Sequence, residues 1–337
     1  MLKIKHANQF WSSIIAFIVI FLCDTAFCHI AAWTKGTYCL NGTTPGVDDE
    51  NTHLIVDPLY QLNFSDWWMH HVDNCDQFPP DPGDFLEIPA LGAFTVEHAA
   101  NRAFTTLSYN GTNIATYPDG QDHPGLENSQ ECIQQPNIHT QNESMAAGSA
   151  FAISYTSNLS EVNPTNLVVF SVLYNTPWRR LATYTAPRLP PCPDGGCICA
   201  VPNGCGTPNM YMHPLKCNVT GQTGNLSLAQ PKPPVWCEGN ISACTSGPKQ
   251  MIYWNQLEGN NIAVSGQDLS GAPKSPGYNM KCGFADGPQN DIFTQNDTGG
   301  PTPPPDLSAA LKSWHRDGRV IALVYVLATV LLSLGVT

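Results

Sequence analysis

Ala150-Phe151-Ala152-Ile153-Ser154-Tyr155 and Leu167-Val168-Val169-Phe170-Ser171-Val172-Leu173 decide the fold class. Each run is short, and its apolar residues alternate with polar or β-branched ones, which is the pattern of a strand packed in a sheet. Ala93–Glu97, Ala103–Tyr109 and Met251–Trp254 read the same way. Turn-forming stretches such as Pro79-Pro80-Asp81-Pro82-Gly83 and Pro190-Pro191-Cys192-Pro193 separate them. No segment carries the period of a long amphipathic helix, and Asp66 to Val72 makes a turn or two at most. Short strands, frequent Pro and Gly, and many cysteines predict an all-β chain. The expected form is an immunoglobulin-like antiparallel β-sandwich with long disulfide-linked loops, occupying residues 29–298 as one domain.

Both ends read as processing signals. Lys3, Lys5 and His6 precede the apolar run Ile14–Cys23, and small residues Ala26 and Cys28 sit where a signal peptidase would cut. Residues 1–28 are therefore expected to be a signal peptide. At the other end, small residues Ser308-Ala309-Ala310, a polar spacer from Leu311 to Arg319 and the apolar Val320–Thr337 match a GPI-anchor signal over 308–337, attached near Ser308. The rival reading is a C-terminal transmembrane helix. Residues 299–307 form a stiff Pro-rich linker. The mature protein is thus expected to be secreted and held on the outer face of the plasma membrane or the cell wall, touching the membrane only through lipid.

Composition agrees with an oxidising compartment. Of 13 cysteines, Cys23 and Cys28 leave with the leader, and the odd number remaining leaves one thiol over. Spacing does not fix the connectivity. The cluster Cys192, Cys197 and Cys199 imitates a zinc site, but disulfides suit a secreted domain better. Sequons at Asn41, Asn63, Asn110, Asn142, Asn158, Asn218, Asn225, Asn240 and Asn296 predict a glycoprotein. The formal net charge is −12, and removing both ends takes away more basic than acidic residues. That balance argues against nucleic acid or anionic lipid as partners.

Cleavage after Cys28 makes His29 the first residue, where its α-amino nitrogen and ring Nδ1 can chelate one metal ion. An N-ligated tetragonal site of this kind is what copper(II) prefers. A second histidine is then required, and His53, His70, His71, His98, His123, His139 and His213 are the candidates. Spacing does not choose among them. It does set His70 and His71 on different sides of any short helix, so they make poor partners for each other.

The strings His29-Ile-Ala-Ala-Trp33, Asn63-Phe-Ser-Asp-Trp-Trp68 and Pro79-Pro-Asp-Pro-Gly-Asp84-Phe85-Leu-Glu87-Ile-Pro89 resemble the fungal lytic polysaccharide monooxygenases of auxiliary activity family 14, the group associated with xylan. The likeness continues in order through Ala150–Tyr155, Pro190–Cys199, Tyr211-Met212, Cys217–Gly221, Glu258–Asn261 and Asp286–Phe293. The resemblance implies a histidine brace holding one copper ion. The amine and Nδ1 of His29 and Nε2 of His139 would supply a T-shaped set of three nitrogens. Tyr211 would stand on the axial side and limit access. It also implies an oxidoreductase for polysaccharide degradation, fed by an external electron donor and by O2 or H2O2. Its substrate would be xylan, including xylan associated with cellulose.

One position departs from that pattern. The family places a histidine near copper and a Gln or Glu two residues before the axial tyrosine, whereas here that position is Asn209 and Ala200–Pro208 holds no histidine. Asn209 retains an amide but with a shorter reach, and it also reads as a turn residue in a Pro-Asn segment. The loss bears more on oxygen chemistry than on copper binding. Two further readings therefore accompany the enzyme. One is a non-catalytic copper-binding or cell-wall-interaction protein; the other, which needs the leader cut elsewhere, is a structural surface glycoprotein. Trp67 and Trp68 read as core plugs ahead of a sugar-stacking platform. Asp84 and Glu87 support no paired-carboxylate glycosidase.

Overall fold

A computed structural model of the protein describes residues 29–125, 143–201 and 209–294. The proposed signal peptide, His139, most of the Ala200–Pro208 stretch, the linker and the anchor signal lie outside the described residues. So do Cys132, Cys205, Asn142 and Asn296.

The described strands are β1 (Ala31–Trp33), β2 (Leu86–Ala90), β3 (Ala93–Ala99), β4 (Ser149–Ser154), β5 (Val168–Leu173), β6 (Leu181–Thr185), β7 (Cys197–Val201), β8 (His213–Gly221) and β9 (Gly287–Pro288). They form a three-stranded sheet, β1-β3-β6, and a six-stranded sheet, β2-β8-β7-β4-β5-β9. The two sheets face each other across one core. Phe94, Val96, Ala182 and Tyr184 come from the smaller sheet; Phe151, Ile153, Phe170, Cys199, Val201 and Leu215 come from the larger. Phe151 is the pivot of this layer. Its ring meets Tyr184 at 4.7 Å and Phe94 at 5.0 Å between centroids, both edge to face.

The alternate residues of the larger sheet are also buried. Ala150, Ala152, Val169, Ile198 and Ala200 point the other way, into a second core closed by Leu59, Trp67, Met210, Met212, Tyr253, Tyr278 and Phe284 from the loops. A sheet covered on both faces explains why β4 is buried at every position.

The sandwich differs from the sequence expectation in three places. The larger sheet is not wholly antiparallel, because β2 runs parallel to β8, pairing Leu86 with Cys217 and Ala90 with Gly221. The chain leaves β2 through a tight turn at Leu91 (φ +58°) and passes straight into β3 of the other sheet instead of folding back beside its neighbour. Ala103–Tyr109 is not a strand. It forms 3₁₀ turns, Arg102–Phe104 and Tyr109–Gly111, because its polar groups are satisfied locally. Asn101 Oδ1 accepts from Ala103 N, Thr105 Oγ1 donates to Arg102 O, and the buried Arg102 pairs with Asp48. Met251–Trp254 is extended but joins no ladder. Ile252 N donates to Tyr278 Oη, Tyr253 N donates to Asn261 Oδ1, and Asn261 Nδ2 donates to Met251 O, so side chains take the place of a neighbouring strand.

Of four disulfides, Cys199–Cys217 joins β7 to β8, Cys192–Cys197 ties a loop to β7, and Cys39–Cys75 and Cys237–Cys244 link residues outside the sheets. The Cys192, Cys197 and Cys199 cluster is thus disulfide chemistry, as expected. Among the described residues Cys282 is a free, buried thiol, pushed by burial up to about 11. The described sequon asparagines are all exposed or half-buried. Asp66–Val72 forms one α-helical turn, Phe64–Trp67, followed by 3₁₀ turns.

Candidate metal centre

His29 is placed by the residues that follow it. Ile30 is fully buried with Tyr117 and Trp178, and β1 pairs with β3 so that Ala31 lies opposite Ala99 and Ala32 opposite His98. Trp33 adds an anchor, its Nε1 donating to Ala99 O at 3.0 Å. A residue preceding four consecutive buried ones has little freedom to swing.

Tyr211 arrives from the other sheet. Leu59 and Met210 exchange both backbone hydrogen bonds, at 2.8 and 3.1 Å, and the chain then enters β8 at His213. His213 Nε2 donates to Ala32 O at 3.0 Å, tying the start of β8 to β1. That tie joins the strand behind His29 to the strand behind Tyr211. The outcome is a direct contact: His29 Nδ1 and the Tyr211 hydroxyl are 2.5 Å apart, with ring centroids 5.8 Å apart. With the phenol donating, the Nδ1 lone pair, the one a metal would use, points at Tyr211. Tyr211 is 1 % exposed and His29 half-buried.

The donor types suit copper: an imidazole nitrogen and a phenol oxygen stand side by side, and a metal on Nδ1 would take the lone pair that now accepts from Tyr211. Among the described residues no group of three or more His, Cys, Asp or Glu side chains gathers to hold a metal. His29 would offer a free amine only if the chain were cut directly before it.

The described histidines are occupied in other ways. His213 is committed to Ala32 O, and burial pushes it down to about 3, so it is neutral. His98 is fully buried and pushed by burial down to about 4, with Nε2 3.2 Å from Tyr184 Oη. His70 Nδ1 donates to Met212 O, and its Nε2 lies 2.9 Å from Asp73, off the line a hydrogen bond needs. His71 is turned outward onto Asp76 at 2.9 Å, so the adjacent pair does diverge. His123 Nε2 meets Asp119 at 2.8 Å, and His53 lies beside Asp57. Sequence spacing gave no sign that His213 and His98 are structural; their strand registers show it.

Asn209 is half-buried and precedes the Leu59–Met210 pair. Trp67 is fully buried with Nε1 donating to Glu258 O, and Trp68 stacks on Phe64 at 5.2 Å, so both are core residues, as expected. A cavity of about 530 Å³ lies elsewhere, lined in part by Lys35, Asn41, Asp48, Asp81 and Arg102, and includes neither His29 nor Tyr211.

Comparison with known proteins supplies the context for this geometry. Residues 11–319 match the family model described as lytic polysaccharide monooxygenase AA14. The chain is 36 % identical over 296 residues to an AA14 family lytic polysaccharide monooxygenase B of Trametes coccinea (strain BRFM310), covering 82 % of this chain and 66 % of that protein. It is 35 % identical over 310 residues to the B protein of Pycnoporus cinnabarinus, covering 87 % and 77 %. It is 36 % identical over 289 residues to that of Talaromyces rugulosus, covering 82 % and 96 %. The chain therefore spans about two thirds of the length of the first of these relatives and nearly all of the last. A β-sandwich with His29 seated on Tyr211, matched over almost its whole length, belongs to the AA14 lytic polysaccharide monooxygenases, a family of copper-dependent oxidoreductases that act on polysaccharides.

Proposed function

We propose that this chain, once its leader is removed before His29, is a secreted copper monooxygenase that cleaves xylan or a related wall polysaccharide while tethered to the cell surface by lipid. The observation that carries the reading is the 2.5 Å contact of His29 Nδ1 with the Tyr211 hydroxyl. It lies at the site where the proposed cut would expose a free amine, in a chain of the AA14 family.

In this reading the amine and Nδ1 of His29 and Nε2 of His139 hold one copper ion. Bound copper supplies the reaction of O2 or H2O2, with electrons from an external donor, that breaks a C–H bond beside the glycosidic oxygen. The protein's own share is positional. His29 must be deprotonated at both nitrogens to bind, so metal affinity falls in acid. A bound ion would take the Nδ1 lone pair that now accepts from Tyr211, and the buried ring of Tyr211 would keep its phenol beside it. Asn209 stands two residues before Tyr211 and is half-buried. A site carried on the surface suits a polymer, which cannot thread into an enclosed pocket.

The test is the electron paramagnetic resonance spectrum of the copper-loaded secreted domain, alongside a version with one extra residue before His29. A spectrum of three equatorial nitrogens, lost on extension, supports the brace. Identical spectra would remove the amine from the ligand set and the enzyme reading with it. Release of oxidised oligosaccharides from xylan should then require copper and a reductant. Asn209, standing where the family carries a longer Gln or Glu, favours one second reading: copper binding without turnover. Stable copper loading with no oxidised product from any polysaccharide would establish it.

A further inference from the structure

From the strand pairing beside Tyr211, we infer that Tyr60 is a sugar-stacking residue that seats one uncharged ring of the polysaccharide next to the metal. The inference rests on the reading above and adds the residue that fixes where the chain lies.

Leu59 and Met210 form an antiparallel pair bonded in both directions, and both side chains are buried in the same outer core. Side chains alternate across a strand, so Tyr60 on one side and Asn209 and Tyr211 on the other share the opposite face. That is the face on which Tyr211 meets His29. Tyr60 and Tyr211 are diagonal same-face neighbours, a relation that places Cα atoms roughly 7–8 Å apart and within reach of aromatic side chains. Tyr211 is covered, whereas Tyr60 is 48 % exposed. Lone exposed apolar side chains are common, so what singles Tyr60 out is its place on the face of Tyr211.

The backbone that carries this ring is held in place. Gln256 Nε2 donates to Leu59 O at 2.6 Å, and Leu62 N donates to Gln256 Oε1 at 2.9 Å. Gln61 N donates to Asn255 O at 3.2 Å, and Gln61 Nε2 reaches both Asn255 O and Oδ1 at 3.0 and 3.1 Å. Leu257 N donates to Leu62 O, and Leu257 is itself 59 % exposed. Gln61 and Asn255 both take positive φ, a cost tolerated where surrounding bonds over-determine the backbone. The segment is clamped on both sides of Tyr60, so little order remains to be imposed when a ligand arrives.

Chemistry restricts the occupant. Residues 58–62 and 254–257 carry no charge, so the platform offers an aromatic face, an aliphatic side chain and amides. That suits the C–H face of a neutral pyranose ring, with the ring packing against the phenol.

The experiment is retention of the copper-loaded protein on insoluble xylan-rich polysaccharide, comparing wild type with Tyr60→Ala, Tyr60→Phe and Tyr60→Trp. Copper spectra and melting curves on all four verify that site and fold persist. Tyr60→Ala should bind roughly three- to tenfold more weakly, Tyr60→Phe and Tyr60→Trp should retain binding, and added salt should change little. If Tyr60→Ala binds as the wild type does, the assignment is wrong while the enzyme reading stands. If Phe fails like Ala, the hydroxyl rather than the ring is at work and stacking is refuted. If the wild type itself neither binds nor oxidises the polysaccharide, the underlying reading fails and this one falls with it.

Discussion

Two of the buried histidines, His98 and His213, make the stability of the fold depend on pH between 7 and 5. His98 and His213 are fully buried, and burial lowers them from 6.5 to about 4 and about 3 respectively. A histidine whose folded value is depressed stabilises the fold fully above its unfolded value and less as the pH falls below that value. Between pH 7 and 5 the unfolded chain takes up about three quarters of a proton at each site and the folded chain almost none. Linkage then removes about 2 kcal/mol per histidine over that interval, about 4 kcal/mol for the pair. Set against a total of about 5–15 kcal/mol for a domain, the loss is large, and it lowers the melting temperature by roughly 10 °C. The carboxylates held low, Asp122 and Asp268, begin to contribute only below this range. The assay is urea unfolding of the metal-free protein at half-unit steps from pH 7.5 to 5. In His98→Gln about half of the pH slope should disappear, whatever the substitution does to stability at pH 7.5. An unchanged slope in that variant would refute the assignment of the protons to these side chains.

Two further outcomes test the core and the phenol. Phe151→Ala removes the ring on which Phe94, Phe170 and Tyr184 converge and should cost about 3–5 kcal/mol in urea unfolding; a loss below 1 kcal/mol would mean that the two sheets do not close over it. Tyr211→Phe deletes the hydroxyl against His29 Nδ1 and should leave the circular dichroism unchanged while shifting the copper spectrum; identical spectra would place the phenol away from the metal.

Much of the sandwich was legible because period-two alternation is a direct consequence of burying a sheet face. Ala93–Glu97, Ala150–Tyr155 and Leu167–Leu173 coincide with β3, β4 and β5 to within a residue or two. Where alternation misled, a side chain had replaced the ladder. Asn261, Tyr278 and Asn101 satisfy backbone groups that the pattern alone would assign to a neighbouring strand. Three of the strands passed over were less visible for reasons of their own, whereas β6 alternates plainly. β2 and β8 contain Pro89 and Pro214, and β7 hides in a cysteine run that reads first as disulfide framework. Pro89 is tolerated because β2 lies at the edge of its sheet, and Pro214 because it stands at the beginning of its strand.

The site was legible in a different way. His29 stood out through chemistry, since only a first residue presents an amine and an imidazole to one ion; its contact with Tyr211 emerged only from the fold. Seven further histidines were equivalent in sequence because type and spacing say nothing of what a ring nitrogen already holds. Burial and partners separate them: His213, His98 and His70 serve the strands behind the site, and His71 and His123 serve surface carboxylates. Tyr60 gave no signal at all. A lone tyrosine between Leu59 and Gln61 becomes a candidate only when the Leu59–Met210 pair puts it on the face of Tyr211, and that relation joins segments about 150 residues apart. Chemistry carried by one residue can be read locally, but chemistry carried by a face depends on register, and register here is set by backbone bonds between distant loops.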